Sequence, residues 1–185
     1  NLAGGPITIA STSGTSGTAG NINVNDAVTW SANKLTLNAQ NNINVNAALN
    51  GSGTASLAFE YGQGSVASGN ASTYTIAAPI TLPAGDGKFT TKLGSDGTTR
   101  SFRVVTTLSG LQAIDSGLGL NYALGASIDA SGSASLNGGL GFSPIGNESS
   151  STINSSNSFT GVFDGLGNTI SALSINLPST ATVGL

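Results

Sequence analysis

The strongest constraint on the fold is a short repeat of alternating asparagine and apolar residues. The stretch Asn-Ile-Asn-Val-Asn at 21–25 returns unchanged at 42–46, a step of 21 residues. A β-strand places successive side chains on opposite faces, so the apolar residues of each copy share one face and the asparagines the other. Stacking the two copies puts Ile43 over Ile22 at about 4.8 Å. A period near 20 with this alternation predicts a β-solenoid, with an apolar interior and an amide ladder outside.

Composition supports a domain built from small residues and narrows its partners. The 185-residue chain is 38% hydrophobic but only 7% charged, and its net charge is −3 with five basic residues. Weak basic character argues against nucleic acid and against anionic membranes as partners. No stretch of 18 apolar residues is present, so no membrane insertion is expected. The chain begins with Asn1 rather than Met, which predicts a processed or internal fragment.

Turn signals divide the chain into two expected regions. Residues 1–99 read as regular rungs of three short strands, separated by Gly- and Asn-rich turns. Residues 100–185 keep strand-like stretches but add polar loops at 130–141 and 147–158. One short helix is predicted over 107–117, with Ser109 as a possible N-cap and a glycine stop. The overall prediction is an all-β β-helix with one short helix and protruding loops, in which 100–185 extend the same ladder.

Several segments resemble known bacterial surface proteins. The run Phe163-Asp-Gly-Leu-Gly167, with 141–146 and 122–130 upstream, resembles the GLUG repeat of such proteins. Residues 20–62 resemble the rungs of filamentous-haemagglutinin-type exoproteins, including the high-molecular-weight adhesins. The resemblance implies a right-handed parallel β-helix. It also implies two-partner secretion through an outer-membrane transporter to the bacterial cell surface, and a role in adhesion, biofilm formation and virulence.

One departure from that family bears on the position of the segment. The family's secretion domain carries Asn-Pro-Asn-Leu and Asn-Pro-Asn-Gly-Ile motifs, and neither occurs here. The resemblance therefore implies an internal or functional segment rather than the secretion signal.

The residue types available argue against catalysis. The chain has no His and no Cys, which excludes Ser-His and Cys-His nucleophile systems. Its eight acids are scattered, and several precede glycine as turn residues do. No catalytic residue, metal site or cofactor is therefore predicted. Because right-handed β-helices also host polysaccharide lyases and hydrolases, such an enzyme remains the alternative.

Ligand contacts are expected from exposed loops and charges. The basic cluster either forms a solvated sheet edge or binds an acidic glycan or protein; it comprises Lys88, Lys92, Arg100 and Arg103. Three residues of the loop 147–158 are further candidates: Glu148, Asn154 and Asn157. Four Asn-X-Ser sequons are possible glycosylation sites, at Asn50, Asn70, Asn147 and Asn154.

Two further features have a structural and a functional interpretation. The clustered asparagines favour a structural ladder over a sugar site, and most aromatic residues are expected in the core. Exposed aromatic rings would be the best candidates for stacking on a ligand.

The sequence thus favours a non-catalytic segment of a secreted bacterial adhesin that binds a host-cell or biofilm ligand, glycan or protein. A binding domain for a soluble host protein, with contacts from loops 62–72, 130–141 and 147–158, is a further alternative.

Overall fold

The computed structural model describes residues 2, 4–12, 19–146 and 158–177, and within them the chain is all-β with little helix. The strands are β1 (Ile7–Ala10), β2 (Ile22–Val24), β3 (Val28–Trp30), β4 (Lys34–Asn38), β5 (Ile43–Val45), β6 (Leu49–Gly51), β7 (Ser56–Tyr61), β8 (Tyr74–Ile76), β9 (Ile80–Thr81), β10 (Gly85–Leu93), β11 (Arg100–Val105), β12 (Asn121–Leu124), β13 (Ile128–Asp129), β14 (Phe163–Asp164) and β15 (Ile170–Ser171). The helical elements are α1 (Leu108–Gln112) and two 3₁₀ segments, Ala113–Gly117 and Ser131–Gly139. No helix among the described residues is long and apolar enough to cross a membrane.

The strands form four open sheets. Sheet A contains seven strands in the order β1-β4-β7-β10-β11-β12-β14. Sheet B is β2-β5-β8, sheet C is β3-β6-β9, and sheet D is β13-β15. Every third strand of the first ten therefore returns to the same sheet, as the predicted three strands per rung require.

The predicted stacking of the asparagine repeat is confirmed. Ile22 pairs with Ile43, and Val24 with Val45, in a parallel register. A third layer follows in β8, where Tyr74 lies beside Ile43. Ile43 and Val45 are fully buried because they have a neighbour in the layer on each side. The interval grows to 31 residues in this third layer because the loop 62–72 precedes β8.

Sheet A has a core on each of its faces. The first face packs against sheets B and C and is continuous from β4 to β12; its buried residues on sheet A are Leu35, Leu37, Leu57, Phe59, Phe89, Phe102, Val104 and Ala123. The second face is polar over the early strands and apolar only at the later ones. There a second core forms from Val105, Leu111, Ile114, Tyr122, Leu124, Ile128, Ala130 and Phe142. Most aromatic residues are therefore core residues, as expected.

The parallel pairing that the family resemblance implies fails at one place. β10 and β11 pair antiparallel, with Phe89 opposite Phe102 and a bulge between Asp86 and Phe89. The chain reverses at Gly94, whose φ is +77°. A Cβ at Gly94 would lie 2.4 Å from the Ala67 nitrogen, so only glycine fits this turn against the loop 62–72.

Strands after the reversal continue sheet A. β11 pairs with β12, and β12 with β14, both parallel, so these three strands add to the sheet that β1 begins. The predicted helix forms at α1, but its N-cap is Thr107 rather than Ser109. The Thr107 hydroxyl accepts a hydrogen bond from the Gly110 nitrogen at 3.1 Å.

The segment 164–168 fastens the later strands to the last rung. The Leu166 carbonyl accepts from the Ile80 nitrogen at 2.9 Å. The Asn168 side-chain nitrogen donates to the carbonyls of Ile80 at 2.8 Å and Leu124 at 2.9 Å. Leu166 is buried despite a φ of +47°, so the GLUG-like turn presents an apolar anchor to the first core. We call residues 164–168 the strap.

Two polar stretches, 130–141 and 147–158, were expected to form protruding loops. Residues 131–139 contain 3₁₀ turns interrupted by a kink, where Leu136, Asn137 and Gly138 have non-helical backbone angles. Most of this segment is exposed, and Ser133 is buried. Residues 147–157 lie outside the described residues.

Candidate ligand-contact surfaces

The asparagines of the repeat form an outward amide ladder on sheet B, which confirms their structural interpretation. The Asn44 side-chain nitrogen donates to the Asn23 Oδ1 at 2.8 Å, and Asn46 does the same to Asn25 at 2.9 Å. The Thr75 hydroxyl adds a third rung by donating to the Asn44 Oδ1 at 3.0 Å. The ladder leaves a flat polar surface with a spacing near 4.8 Å between rows.

The four basic candidates do not form one patch. Lys88, Lys92 and Arg103 lie at second-face positions of sheet A, whereas Arg100 shares the first face with Phe102. Lys92 Nζ donates to the Ser95 carbonyl at 2.9 Å and Lys88 Nζ to the Thr54 carbonyl at 3.3 Å. Both lysines therefore donate to nearby backbone carbonyls, and their strand β10 lies between β7 and β11 rather than at the sheet edge that the sequence suggested.

Arg103 is also committed to a local partner. It forms an ion pair with Asp86 on the neighbouring strand, through two guanidinium nitrogens. Hydrogen bonding to Arg103 holds the pKa of the Asp86 carboxyl below its usual value. Because both side chains are exposed, the pair contributes little to folding.

The carboxylates are mostly turn and cap acceptors. Asp129 accepts from the Ser131 nitrogen at 2.9 Å, and this hydrogen bond lowers its pKa. Asp96 accepts from the Ala67 nitrogen at 2.7 Å, and Asp115 from the Gly146 nitrogen at 2.8 Å. Within the described ranges no three His, Cys, Asp or Glu side chains come together as a metal site requires. These carboxylates therefore act as hydrogen-bond acceptors for backbone N–H groups.

The predicted glycosylation sites fall into two groups. Asn50 lies in β6 with its Oδ1 accepting from Thr81 at 3.3 Å. The Asn70 side-chain nitrogen donates to the Gly62 carbonyl at 2.8 Å, so this amide holds the turn before β8. Glycosylation would replace one of the two Asn70 amide hydrogens, which donate to the Gly62 and Val66 carbonyls, whereas the Asn50 contact uses the amide oxygen that glycosylation leaves in place. Asn147 and Asn154, with the ligand candidates Glu148, Asn154 and Asn157, lie in the range 147–157, outside the described residues.

A mixed polar and aromatic cluster, which the sequence did not reveal, lies on the first face beyond β8. The Tyr74 hydroxyl donates to the Asp164 Oδ2 at 2.6 Å, across 90 residues of sequence. The ring of Tyr61 meets that of Tyr74 edge-to-face, with centroids 5.3 Å apart. We call Tyr61, Tyr74, Arg100 and Asp164 the Tyr-Asp-Arg corner.

Register explains how these residues meet. Tyr61 pairs with Leu93, at the ends of β7 and β10. The antiparallel β11 begins at the same end of the sheet, which places Arg100 opposite Thr91 on the first face. Asp164 arrives from the other end of the chain by pairing with Ala123. No local spacing signals this meeting, because it depends on the strand reversal at residues 94–99.

The ionisation of the two phenols reflects this environment. Burial raises the pKa of Tyr61, and the nearby charges of Arg100 and Asp164 act on it in opposite directions. Burial also raises the pKa of Tyr74, and its hydrogen bond to Asp164 raises it further. Tyr61, Tyr74 and Asp164 are only half-buried, and Arg100 is exposed, so solvent reaches the corner.

Comparison with known proteins finds a similarity over part of the chain. No protein-family model matches the chain, and no solved structure matches it significantly. A 95-residue stretch is 42% identical to part of halomucin from Haloquadratum walsbyi (strain DSM 16790 / HBSQ001). The match covers 49% of this chain and only 1% of halomucin, so it assigns no family.

Proposed function

We propose that this chain is a non-catalytic segment of a secreted bacterial surface adhesin, wound as a right-handed parallel β-helix. The observation that carries the proposal is the in-register parallel pairing of successive strands within sheets A, B and C. Stacked rungs give a rigid elongated body whose outer rows repeat every rung. Such a body suits the display of many shallow contacts.

The change of core supports a constant right hand for the winding. A crossover between parallel strands of one sheet is right-handed in about 98% of cases. From β4 to β10 the connections cover the first face of sheet A. After the reversal the strands run the opposite way, and the connections α1 and 131–139 accompany the core on the second face. Reversing the strand direction and the covered face together preserves the hand.

The chemistry of the surface favours binding over turnover. The chain lacks imidazole and thiol, and most of its described acids that form hydrogen bonds accept from backbone nitrogens. The amide ladder and hydroxyl rows can exchange hydrogen bonds with a glycan or a protein surface. Each such contact is weak, but many copies on one cell would bind strongly through multivalency.

The rest of the proposal follows from the family resemblance. The partners would be an outer-membrane two-partner transporter, and a glycan or protein of a host cell or biofilm matrix. The location would be the bacterial cell surface. A cofactor has no place in this function.

The test is attachment without turnover. Beads carrying the 185-residue chain should adhere to host cells or biofilm matrix, and free chain should compete with them. The same protein should leave polysaccharides intact. Cleavage of a polysaccharide that Asp129→Asn or Asp164→Asn abolishes would establish the lyase or hydrolase alternative instead. Absence of attachment to every surface would contradict the adhesin proposal.

A further inference from the structure

The Tyr-Asp-Arg corner combines groups that recognise acidic sugars. Arg100 is exposed, and its side chain makes no hydrogen bond or ion pair with any residue in the described parts of the chain. Its free guanidinium can hold a carboxylate through two parallel hydrogen bonds. This distinguishes Arg100 from Arg103 on the same strand, which is already paired with Asp86.

Tyr61 supplies the apolar part of such a site. Its ring is half-buried and is held at right angles to its neighbour, because it packs edge-to-face on Tyr74. Tyr74 is in turn fixed by the ring of Phe59 at 5.4 Å and by its hydrogen bond to Asp164. A phenol held in this way offers a rigid platform for the apolar face of a sugar ring.

Asp164 supplies oriented acceptors. Its Oδ2 accepts from the Tyr74 hydroxyl at 2.6 Å, and its Oδ1 from the Leu166 nitrogen at 2.9 Å. Each carboxylate oxygen keeps a second lone-pair site for a ligand hydroxyl. The two donors also offset part of the negative charge, which reduces repulsion of an anionic ligand.

We propose that the Tyr-Asp-Arg corner binds a uronic-acid oligosaccharide, with Arg100 on a sugar carboxylate, Tyr61 under the ring and Asp164 accepting from a hydroxyl. This deepens the proposed function, on which it rests, by naming a ligand class and a site. The corner lies where β8 has no neighbour in sheet B, so an elongated ligand can run past it.

The experiment compares two arginines of one strand. Oligogalacturonate is titrated into the chain by calorimetry, with neutral galacto-oligosaccharide as the second arm. Arg100→Gln should weaken binding of oligogalacturonate by about tenfold or more, as loss of a charge-assisted pair does. The matched control Arg103→Gln removes the same charge from the opposite face and should leave binding unchanged.

Two further variants test the geometry. Tyr61→Leu should weaken both acidic and any neutral sugar binding while leaving the melting temperature close to that of the parent chain. Tyr74→Phe keeps the ring but frees the Asp164 Oδ2, and should change affinity less than Tyr61→Leu. Equal losses for Arg100→Gln and Arg103→Gln would show general charge attraction and overturn the site. No binding of oligogalacturonate would overturn it as well.

Failure of the site and failure of the adhesin function are separable. If the parent chain attaches to cells or matrix and Arg100→Gln attaches equally, the corner is not the contact and the adhesin function stands. If the parent chain attaches to nothing yet binds oligogalacturonate through Arg100, the site stands and the adhesin function falls.

Discussion

Two regions, residues 19–93 and the described residues 100–146 with 158–177, cover opposite faces of sheet A with their connecting segments. In the first region, the chain returns to sheet A after passing through sheets B and C, and most buried apolar side chains belong to one core on the first face. In the second region, strands of reversed direction continue sheet A, but α1 and the 3₁₀ segment Ala113–Gly117 pack on its other face. The first region repeats a local pattern, while the second depends on contacts between distant parts of the chain.

This difference shows which contacts hold the strands of each region in place. The regular rungs need only the alternation of apolar and polar residues, because each layer is a template for the next. Sheets B and C end at β8 and β9, so the later strands have no further layer of these sheets to pack on. The strap and the second core hold them instead. Substitutions that affect one region or both measure how far the two depend on each other.

The largest loss of stability is expected when a polar side chain replaces a buried apolar one in either core. Ile43→Asn removes packing from a fully buried site and places an amide there, so it should cost about 3–5 kcal/mol. Leu124→Asn should do the same to the second core. Because both cores lie on sheet A, calorimetry should show one transition at a lower temperature for either variant. Two separate transitions would mean that the regions fold independently, and an unchanged melting temperature would contradict the inward position of Ile43.

The strap comes next. Asn168→Ala leaves the carbonyls of Ile80 and Leu124 without their side-chain donor, at a cost of about 1–2 kcal/mol. It also loosens the cover of the β9 edge, so size-exclusion chromatography should show more association at high concentration. Asn176→Ala is the control, because its amide donates to the Gly139 carbonyl at 3.5 Å on the surface. Equal stability of the two variants would show that the strap does not hold the later strands.

What the sequence could predict follows the same division. The pairing of Ile22 with Ile43 and the ladder of Asn23 and Asn44 follow from a local period, and alternation is enough to place them. The reversal at Gly94 is different, because a six-residue turn between two strands permits a hairpin as readily as another rung. Its cause is the close approach of the loop 62–72, which no spacing along the chain reveals.

The candidate contacts show the same limit. The alternation of side chains places Arg100 on the opposite face of sheet A from Lys88 and Lys92, but only once the register of β11 on β10 is known. The meeting of Tyr74 with Asp164 requires two strand pairings and the reversal, so no sequence pattern announces it.

The hydrogen bond from the Tyr74 hydroxyl to Asp164 links the two regions, and its contribution to stability should depend on pH. Because folding raises the pKa of Tyr74, the neutral phenol contributes stability that is fully present below the unfolded pKa of about 10. That contribution is lost as pH rises above 10. Tyr74→Phe should cost ~1 kcal/mol at neutral pH and make the alkaline decline in the free energy of unfolding shallower. Denaturant titrations at pH 7 to 11 measure both, and an identical decline in the two proteins would contradict the assignment.

The amide ladder should respond weakly, since it lies in solvent. Asn44→Ala removes two ladder bonds, to Asn23 and Thr75, whereas Asn23→Ala removes the bond to Asn44. We expect a loss of about 0.5–1 kcal/mol for Asn44→Ala and less for Asn23→Ala. Urea unfolding of the three proteins side by side resolves the order. A larger loss for Asn23→Ala would mean that the ladder does not run as described.

The smallest effect is expected at the Arg103–Asp86 pair, on the exposed second face of the hairpin that joins the two regions. Arg103→Gln should lower the melting temperature at neutral pH only slightly, because solvent screens this pair. The main effect of the substitution should be on the pKa of Asp86, which the Arg103 guanidinium lowers in the folded chain. A lowered carboxyl pKa adds stability above the unfolded pKa of about 3.9, which is lost as pH falls below it. Carboxyl titration by NMR should therefore show the Asp86 pKa rising in Arg103→Gln and unchanged in Arg100→Gln, since Arg100 lies on the other face of the strand. A shift in both variants would place the two arginines on one surface and contradict the division of faces on which the comparison rests.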